Sequence, residues 1–186
     1  MRRRGLTKRQ RKRKKAKQIE NRKLIKKYYW LRPRYAWSGK PIKDYDYTYH
    51  ELSDVWGKGW NKAFGEKLIE ELGEAVKEAG LNNFNIVQAK EKFGEIRIYT
   101  SYITDKIDEV IEKYAYLSRH ICYFCGKKAP IVDDGWVLPR CFDCYCKQYR
   151  KQEKWAINHY SDYIVKTDEE LRKMYDERIV EEIQDE

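Results

Sequence analysis

Four of the five cysteines in this 186-residue chain form two pairs with the same internal spacing. Cys122 and Cys125 form the first Cys-x-x-Cys pair, and Cys141 and Cys144 form the second after fifteen intervening residues. Each pair can offer two thiolates from one tight turn, and the loop between them can bring both pairs to one tetrahedral ion, so the spacing predicts a Zn²⁺ site. The alternatives are two disulfides or four unrelated buried thiols.

The fifth cysteine, Cys146, lies two residues beyond Cys144 and is either a spare thiol or an alternative ligand. We predict the first four cysteines as ligands, because only they repeat the Cys-x-x-Cys spacing. An odd number of cysteines in this pattern is typical of a reducing compartment.

The sequence around the cysteines does not indicate catalysis. An HNH-type nuclease, which a four-cysteine site can brace, needs a histidine base and ligands for a catalytic metal. The three histidines, His50, His120 and His159, all lie outside the segment between the cysteine pairs, and His120 is predicted to be structural. Four thiolates also saturate zinc. We therefore predict no enzymatic activity, with a scattered acidic metal site as the alternative.

Regular elements must position the two pairs. Residues 104–119 have the spacing of an amphipathic helix that leads into the first pair, with Thr104 as its cap. Residues 131–138 predict a short hairpin, and the second pair opens a helix over residues 141–160. This order predicts a treble-clef-like zinc finger, and a simple zinc ribbon is the alternative.

The rest of the body predicts a small core. Apolar residues at every fourth position predict a helix over residues 57–79. Alternating residues predict strands over 84–93 and 95–102 that turn near Gly94. Residues 167–186 predict an acidic helix that frays at its end.

Two aromatic stretches precede this core. The rings and arginines of residues 28–41 predict either packing over the domain or stacking on bases, and we favour packing because large rings are usually buried. Three tyrosines within residues 44–56 would share one face of an extended segment, with acidic residues opposite. This pattern predicts an edge strand or an ordered loop, and the alternative is a docking strand or an acidic contact for the N-terminal segment.

Charge is distributed unevenly along the chain. Residues 1–27 hold 15 of the 40 Lys and Arg residues and one of the 30 acidic residues, so their net charge is +14, whereas that of the other 159 residues is −4. Residues 2–17 are expected to be disordered or a fraying helix in isolation, and residues 7–29 are expected to form a helix beside a polyanion, with Thr7 as N-cap.

This arm predicts binding to DNA or structured RNA by counterion release, and a solubilising or targeting tail is the alternative. The basic helix after the second cysteine pair predicts a further contact. The predicted nucleic-acid-binding residues are Arg2, Arg3, Arg4, Lys8, Arg9, Arg11, Lys12, Arg13, Lys14, Lys15, Lys17, Arg22, Lys23, Lys147, Arg150 and Lys151.

The predicted fold is a small α+β domain of amphipathic helices and a β-hairpin, with an embedded four-cysteine treble-clef-like zinc finger and a helical or disordered basic arm. The sequence contains neither an apolar run long enough to span a membrane nor a secretory signal. These observations predict a soluble intracellular protein that does not bind membranes. The predicted segments are a basic arm (1–27), an aromatic-rich extended segment (28–56), an α+β core (57–119), the zinc finger (120–160) and an acidic C-terminal helix (161–186).

Several motifs resemble those of small zinc-finger proteins encoded by gut and Firmicute phages. They are the Trp-Leu-Arg-Pro-Arg, Trp-Ser-Gly-Lys and Asp-Tyr-Asp-Tyr elements of residues 29–49, the segment 59–65, the Lys-Glu-Lys-Phe-Gly element within residues 88–97, and the paired cysteines. The resemblance covers about residues 28–146. It implies a phage origin and the cytoplasm of a bacterial host, and it implies no particular activity.

Three functions follow as hypotheses. The first is a nucleic-acid-binding accessory protein with a cationic arm. The second is a phage protein that binds a host protein or ribonucleoprotein, to disable a defence complex or redirect transcription. The third is a virion component packaged with DNA.

Overall fold

The computed structural model of the chain describes residues 5–35, 38–53 and 57–180. The predictions for Arg2, Arg3, Arg4 and the acidic end at residues 181–186 lie outside these ranges. Within the described ranges, no helix combines the length and the apolar character that crossing a membrane requires.

The described residues form six α-helices and two antiparallel hairpins, which confirms the predicted α+β class. In chain order the elements are α1 (Lys8–Lys27), a 3-10 turn (Tyr29–Leu31), α2 (Lys58–Trp60), a π-helical turn (Asn61–Gly65), α3 (Glu66–Glu78), β1 (Ile86–Lys92), β2 (Glu95–Thr100), α4 (Asp105–Arg119), β3 (Ile131–Asp133), β4 (Val137–Pro139), α5 (Phe142–His159) and α6 (Asp168–Asp176).

The helix predicted over residues 57–79 is present as α2 and α3, joined by the π-helical turn. Residues four apart advance about 40° more than one full turn of an α-helix, so a strict four-residue repeat drifts around the helix axis. A wider π turn reduces that drift. Trp60, Phe64, Leu68 and Leu72 are consequently all buried.

The main core lies between α3, α4 and the first hairpin. β1 and β2 pair from Ile86 opposite Thr100 to Lys92 opposite Glu95, and α4 begins after the predicted cap Thr104. The aromatic stretch joins this core, because Trp30 and Leu31 from the 3-10 turn are buried in it. The packing interpretation is therefore confirmed for Trp30 and Leu31, whereas Tyr35 is exposed and Trp37 lies outside the described residues.

The basic arm is helical in its described part. Thr7 caps α1 in a reciprocal capping box with Gln10, which confirms the predicted N-cap. Asn21 and Ile25 are buried against the body, and the Asn21 side-chain amide donates to the Tyr47 carbonyl over 2.8 Å. The described part of the arm is therefore helical, one of the two predicted forms, and its last turns pack on the body.

The tyrosine segment is a loop among its described residues, 44–53. Asp44 and Tyr47 adopt positive φ values of 51° and 62°, which interrupt an extended strand. The rings still cluster, since the Tyr45 ring centroid lies 4.9 Å from that of Tyr47 and 5.4 Å from that of Tyr49. The edge-strand interpretation is thus wrong and the ordered loop is confirmed.

This loop also supplies the acidic contact for the arm. The Lys14 ammonium lies 3.0 Å from the Asp46 carboxylate. Hydrogen bonds from Thr48 and Lys14 lower the pKa of Asp46 to about 2. One cation of the predicted nucleic-acid surface therefore has a partner within the protein.

The C-terminal helix is shorter than predicted. α6 ends at Asp176, and the following residues extend along β3, with the Asp133 amide donating to the Arg178 carbonyl and the Val180 amide to the Ile131 carbonyl, both over 2.9 Å. Beyond the end of α6, the side chain of Ile179 packs against a small buried cluster of Val132, Tyr145 and Tyr175. Val132 of β3 and Ile179 thereby form an isolated antiparallel bridge beside the second hairpin.

Candidate metal centre and basic surfaces

The first cysteine pair lies in a tight turn after α4. The Cys122 amide donates to the Lys127 carbonyl over 2.7 Å, and the Gly126 amide donates to the Cys122 carbonyl over 3.0 Å. Gly126 has a φ of 83°, a conformation that glycine adopts without steric cost. Cys122 is fully buried, whereas Cys125 is partly exposed.

Residues of α2 form hydrogen bonds to this turn. The Gly59 amide donates to the Tyr123 carbonyl over 2.9 Å, and the Trp60 indole donates to the Ile121 carbonyl over 2.7 Å. A β-carbon on Gly59 would lie 2.2 Å from the Cys122 carbonyl oxygen. Sequence reasoning assigned no site role to Gly59, although a glycine at a helix start without a turn nearby was a usable signal.

The second pair lies at the start of α5. Cys141 is the N-cap residue of this helix, and Cys144 is on its first turn, with its amide donating to the Cys141 carbonyl over 3.0 Å. The turn that carries the first pair is followed by a hairpin and then by the helix that carries the second pair. This is the order predicted for a treble-clef-like finger rather than for a ribbon.

The structure brings the four predicted ligands together. The Sγ atoms of Cys122, Cys125, Cys141 and Cys144 all lie within 4.8 Å of one another, and those of Cys125 and Cys141 are 3.6 Å apart. A tetrahedral ion with metal–sulfur bonds of about 2.3 Å requires sulfur–sulfur distances of about 3.8 Å. All five cysteines are free, so the disulfide alternative is wrong. The cluster can therefore hold one metal ion.

The ionisation of the thiols fits a cation at this place. Burial raises the pKa of Cys141 and of Cys144, and a thiolate at Cys122 raises both further. Burial opposes ionisation of Cys125 as well, but hydrogen bonds from the Lys127 backbone and the neighbouring thiols outweigh it and lower the pKa of Cys125. Four adjacent thiolates repel one another, so their common ionisation requires a positive ion.

Cys146 lies outside this cluster. Its side chain is partly buried, and burial followed by the charge of Asp168 raises the pKa of its thiol. The four-ligand set accordingly follows the repeated spacing.

A buried arginine near the centre was missed by sequence reasoning. Arg140 precedes the second pair, is 2% exposed and forms an ion pair with Asp134. Its carbonyl accepts a 2.7 Å hydrogen bond from the Tyr175 hydroxyl of α6. Arg140, which directly precedes Cys141, thus contacts the β3–β4 turn through Asp134 and α6 through Tyr175.

The arm presents most of its predicted cations to solvent. Every residue from Gly5 to Lys17 is exposed, as are Arg22 and Lys23. Some of the cations also make contacts within the protein: the Arg11 guanidinium donates to the Leu6 carbonyl over 3.1 Å, Lys14 pairs with Asp46, and the Arg22 guanidinium lies 5.3 Å above the Tyr47 ring.

The predicted basic residues of α5 differ in their surroundings. Lys147 and Lys151 are exposed. Arg150 instead fastens α6, because its guanidinium donates to Glu153 over 2.8 Å, to the Lys166 carbonyl over 2.7 Å and to Asp168 over 2.6 Å. Arg150 is therefore occupied by structural contacts.

Fold and centre together define a small α+β protein with a four-cysteine cluster that can hold a metal ion. Comparisons of this chain with known protein families, with curated proteins and with solved structures found no match.

Proposed function

We propose that the protein is a zinc-braced nucleic-acid-binding protein whose cationic helix α1 contacts the phosphate backbone. The observation that supports this most is the exposure of α1. Twelve of its 20 residues are Lys or Arg, Glu20 is its one acidic residue, and all residues from Gly5 to Lys17 are exposed. Such a charge density attracts a polyanion and releases its counterions.

The anchoring of α1 supports the same function. Asn21 and Ile25 hold its last turns on the body, so the preceding turns project from a fixed base. Phosphates then meet cations on a helix whose last turns are already anchored, so binding has less of the chain to order. This lowers the entropic cost of association.

The metal in this proposal is zinc. Four thiolates in a tetrahedral arrangement suit Zn²⁺ or iron, and four-coordinate zinc of this kind is structural because it leaves no open position for water. The centre then braces the protein and takes no part in catalysis. Metal analysis of the purified chain tests this with an expected content of about one zinc per chain, and iron or an absence of metal would contradict it.

A salt titration tests the proposed binding. The full chain and the variant Arg9→Gln/Lys12→Gln/Lys15→Gln are titrated against a labelled duplex at several salt concentrations. Each lost phosphate contact reduces the slope of log K against log salt by about 0.9, so the variant is expected to lose about 2 to 3 from the slope. Glutamine keeps helix propensity, so α1 remains formed.

The matched control is Lys67→Gln/Lys77→Gln/Lys173→Gln, which removes three exposed cations from other helices. It is expected to keep the wild-type slope. Equal effects of the two triple variants would show that only net charge matters, and the proposed role of α1 would fall. A partner from host lysate that stays bound after nuclease treatment would favour the protein-binding alternative.

A further inference from the structure

A cleft beside the metal centre combines exposed aromatic rings with lysines. It has a volume of roughly 1130 Å³ and lies between the first cysteine turn, the β3–β4 turn and α5. We name it the aromatic cleft. Its lining includes Phe124, Trp136, Lys147, Tyr149, Lys151 and Trp155.

Three of these rings are unusually exposed for their size. Trp136 is 65% exposed, Trp155 is 55% exposed and Phe124 is 42% exposed, whereas Trp30 and Trp60 are buried in the core. Exposed apolar groups that converge on one concave surface are typical of a binding site.

Hydrogen bonds and stacking hold these rings in place. The Trp136 indole donates to one oxygen of Glu91 over 3.1 Å, and the other Glu91 oxygen accepts from the Gly94 amide over 2.8 Å. The Trp155 ring stacks on His159 with centroids 4.2 Å apart and planes 19° apart. The rings are thus positioned before any ligand arrives, which reduces the cost of binding.

The charge around the cleft is positive. Lys147 and Lys151 are exposed at its edge, and among the described residues neither forms an ion pair. The acidic side chain in the lining, Asp134, is neutralised by Arg140. A ligand with both flat rings and negative charge complements this surface.

We infer that the aromatic cleft binds the unpaired bases of a single nucleic-acid strand, with Lys147 and Lys151 contacting the phosphates. This rests on the proposed function and deepens it, because α1 reads charge alone whereas the cleft requires accessible base faces. A duplex hides those faces in its stack, and an acidic peptide supplies charge without rings. Base–aromatic stacking beside a cationic groove is the usual basis of single-strand binding.

Fluorescence anisotropy with the full chain tests this inference. The probes are fluorescein-labelled oligothymidylate and oligouridylate of about 12 nucleotides, an abasic oligomer of equal length and a duplex. The variant is Trp136→Ala, with Trp136→Phe as the ring-retaining variant and Tyr116→Ala as the control, since Tyr116 is an exposed aromatic outside the cleft lining.

We expect Trp136→Ala to weaken binding of the two base-containing strands roughly 10-fold and to leave the abasic oligomer and the salt slope unchanged. Trp136→Phe should recover most of the affinity, and Tyr116→Ala should bind as wild type. Oligothymidylate and oligouridylate distinguish DNA from RNA. Metal content and circular dichroism of each variant verify folding.

Three results would overturn the inference separately from the proposed function. Equal binding of base-containing and abasic strands would show that charge alone is recognised. Equal losses for Trp136→Ala and Tyr116→Ala, or competition by polyglutamate as strong as that by the oligonucleotides, would do the same. An absence of binding to every probe at low salt would instead remove the proposed function and the inference together.

Discussion

Gly59 and Cys122 are in backbone contact although 62 residues separate them in the sequence. A β-carbon on Gly59 would lie 2.2 Å from the Cys122 carbonyl oxygen and 2.7 Å from the Cys125 amide nitrogen. The Gly59 amide meanwhile donates to the Tyr123 carbonyl. α2 and the turn that carries Cys122 and Cys125 are therefore joined through main-chain atoms, so repacking of side chains cannot relieve the steric conflict.

Gly59→Ala should consequently destabilise both α2 and the turn that carries Cys122 and Cys125. Overpacking typically costs about 1–3 kcal/mol, and we expect a loss at or above the upper end because the atoms in conflict are backbone atoms. Urea unfolding of the metal-loaded chain measures it. Gly5→Ala is the matched control, since its nearest neighbour would be 4.0 Å away. Equal stability of Gly59→Ala and wild type would contradict the close contact.

Cys144→Ser and Cys146→Ser should behave differently although their positions are two residues apart. Cys144 belongs to the four-sulfur cluster and Cys146 does not. Because metal-binding energy contributes directly to folding, Cys144→Ser should lose the metal and most of the fold of residues 120–160. Cys146→Ser should keep about one metal ion per chain. Metal analysis and circular dichroism distinguish the two, and metal loss in Cys146→Ser would show a ligand set different from the proposed one.

Arg150→Gln should reduce stability more than nucleic-acid binding. Its removal leaves Glu153, which is 4% exposed, without its ionic partner and with the Lys166 amide as its remaining donor, and the loss of a charge-assisted hydrogen bond lowers stability. Thermal unfolding measures the loss. The comparison variant is Lys151→Gln, which should keep near-normal stability but reduce the slope of log K against log salt. A larger effect of Arg150→Gln on the slope than of Lys151→Gln would return Arg150 to the binding surface.

Tyr175 should make stability depend on alkaline pH. Burial raises the pKa of its hydroxyl to about 12 from an ordinary value near 10. The unfolded chain therefore releases this proton first, so the contribution of Tyr175 to stability is complete below about pH 10 and declines as the pH rises towards 12.

Tyr175→Phe checks this assignment. The variant loses the hydrogen bond to the Arg140 carbonyl, which costs about 1 kcal/mol at neutral pH, but it has no hydroxyl to titrate. The difference in unfolding free energy between wild type and variant should shrink between pH 9 and pH 12. A constant difference over that range would contradict the buried state of the hydroxyl.

The local patterns of the sequence predicted much of this architecture. Thr7 and Thr104 cap helices as expected because a cap is decided by residues within one turn. The ligand set followed from two identical short spacings, and the first hairpin followed from alternation around Gly94. In each case the residues that cause the structural feature lie close in the sequence to the pattern that predicts it.

The remaining features depend on contacts that residue patterns do not encode. The pairing of Val132 with Ile179 joins segments that share no recognisable motif. Arg150 reads as a binding cation in the sequence and becomes structural only when α6 brings Asp168 to it. The sequence places Trp136 only in a predicted hairpin, and its exposure is visible only once Glu91 is placed beside its indole.

The strand contact between β3 and the residues after α6 has a consequence for synthesis on the ribosome. All four clustered cysteines emerge before Arg178 and Val180, which cover the outer edge of β3. If the cluster holds a metal ion, a nascent chain can bind it while that edge is still uncovered, and uncovered edges recruit other strands. A chain cut short just before Arg178 would be expected to keep its metal and to fail by aggregation.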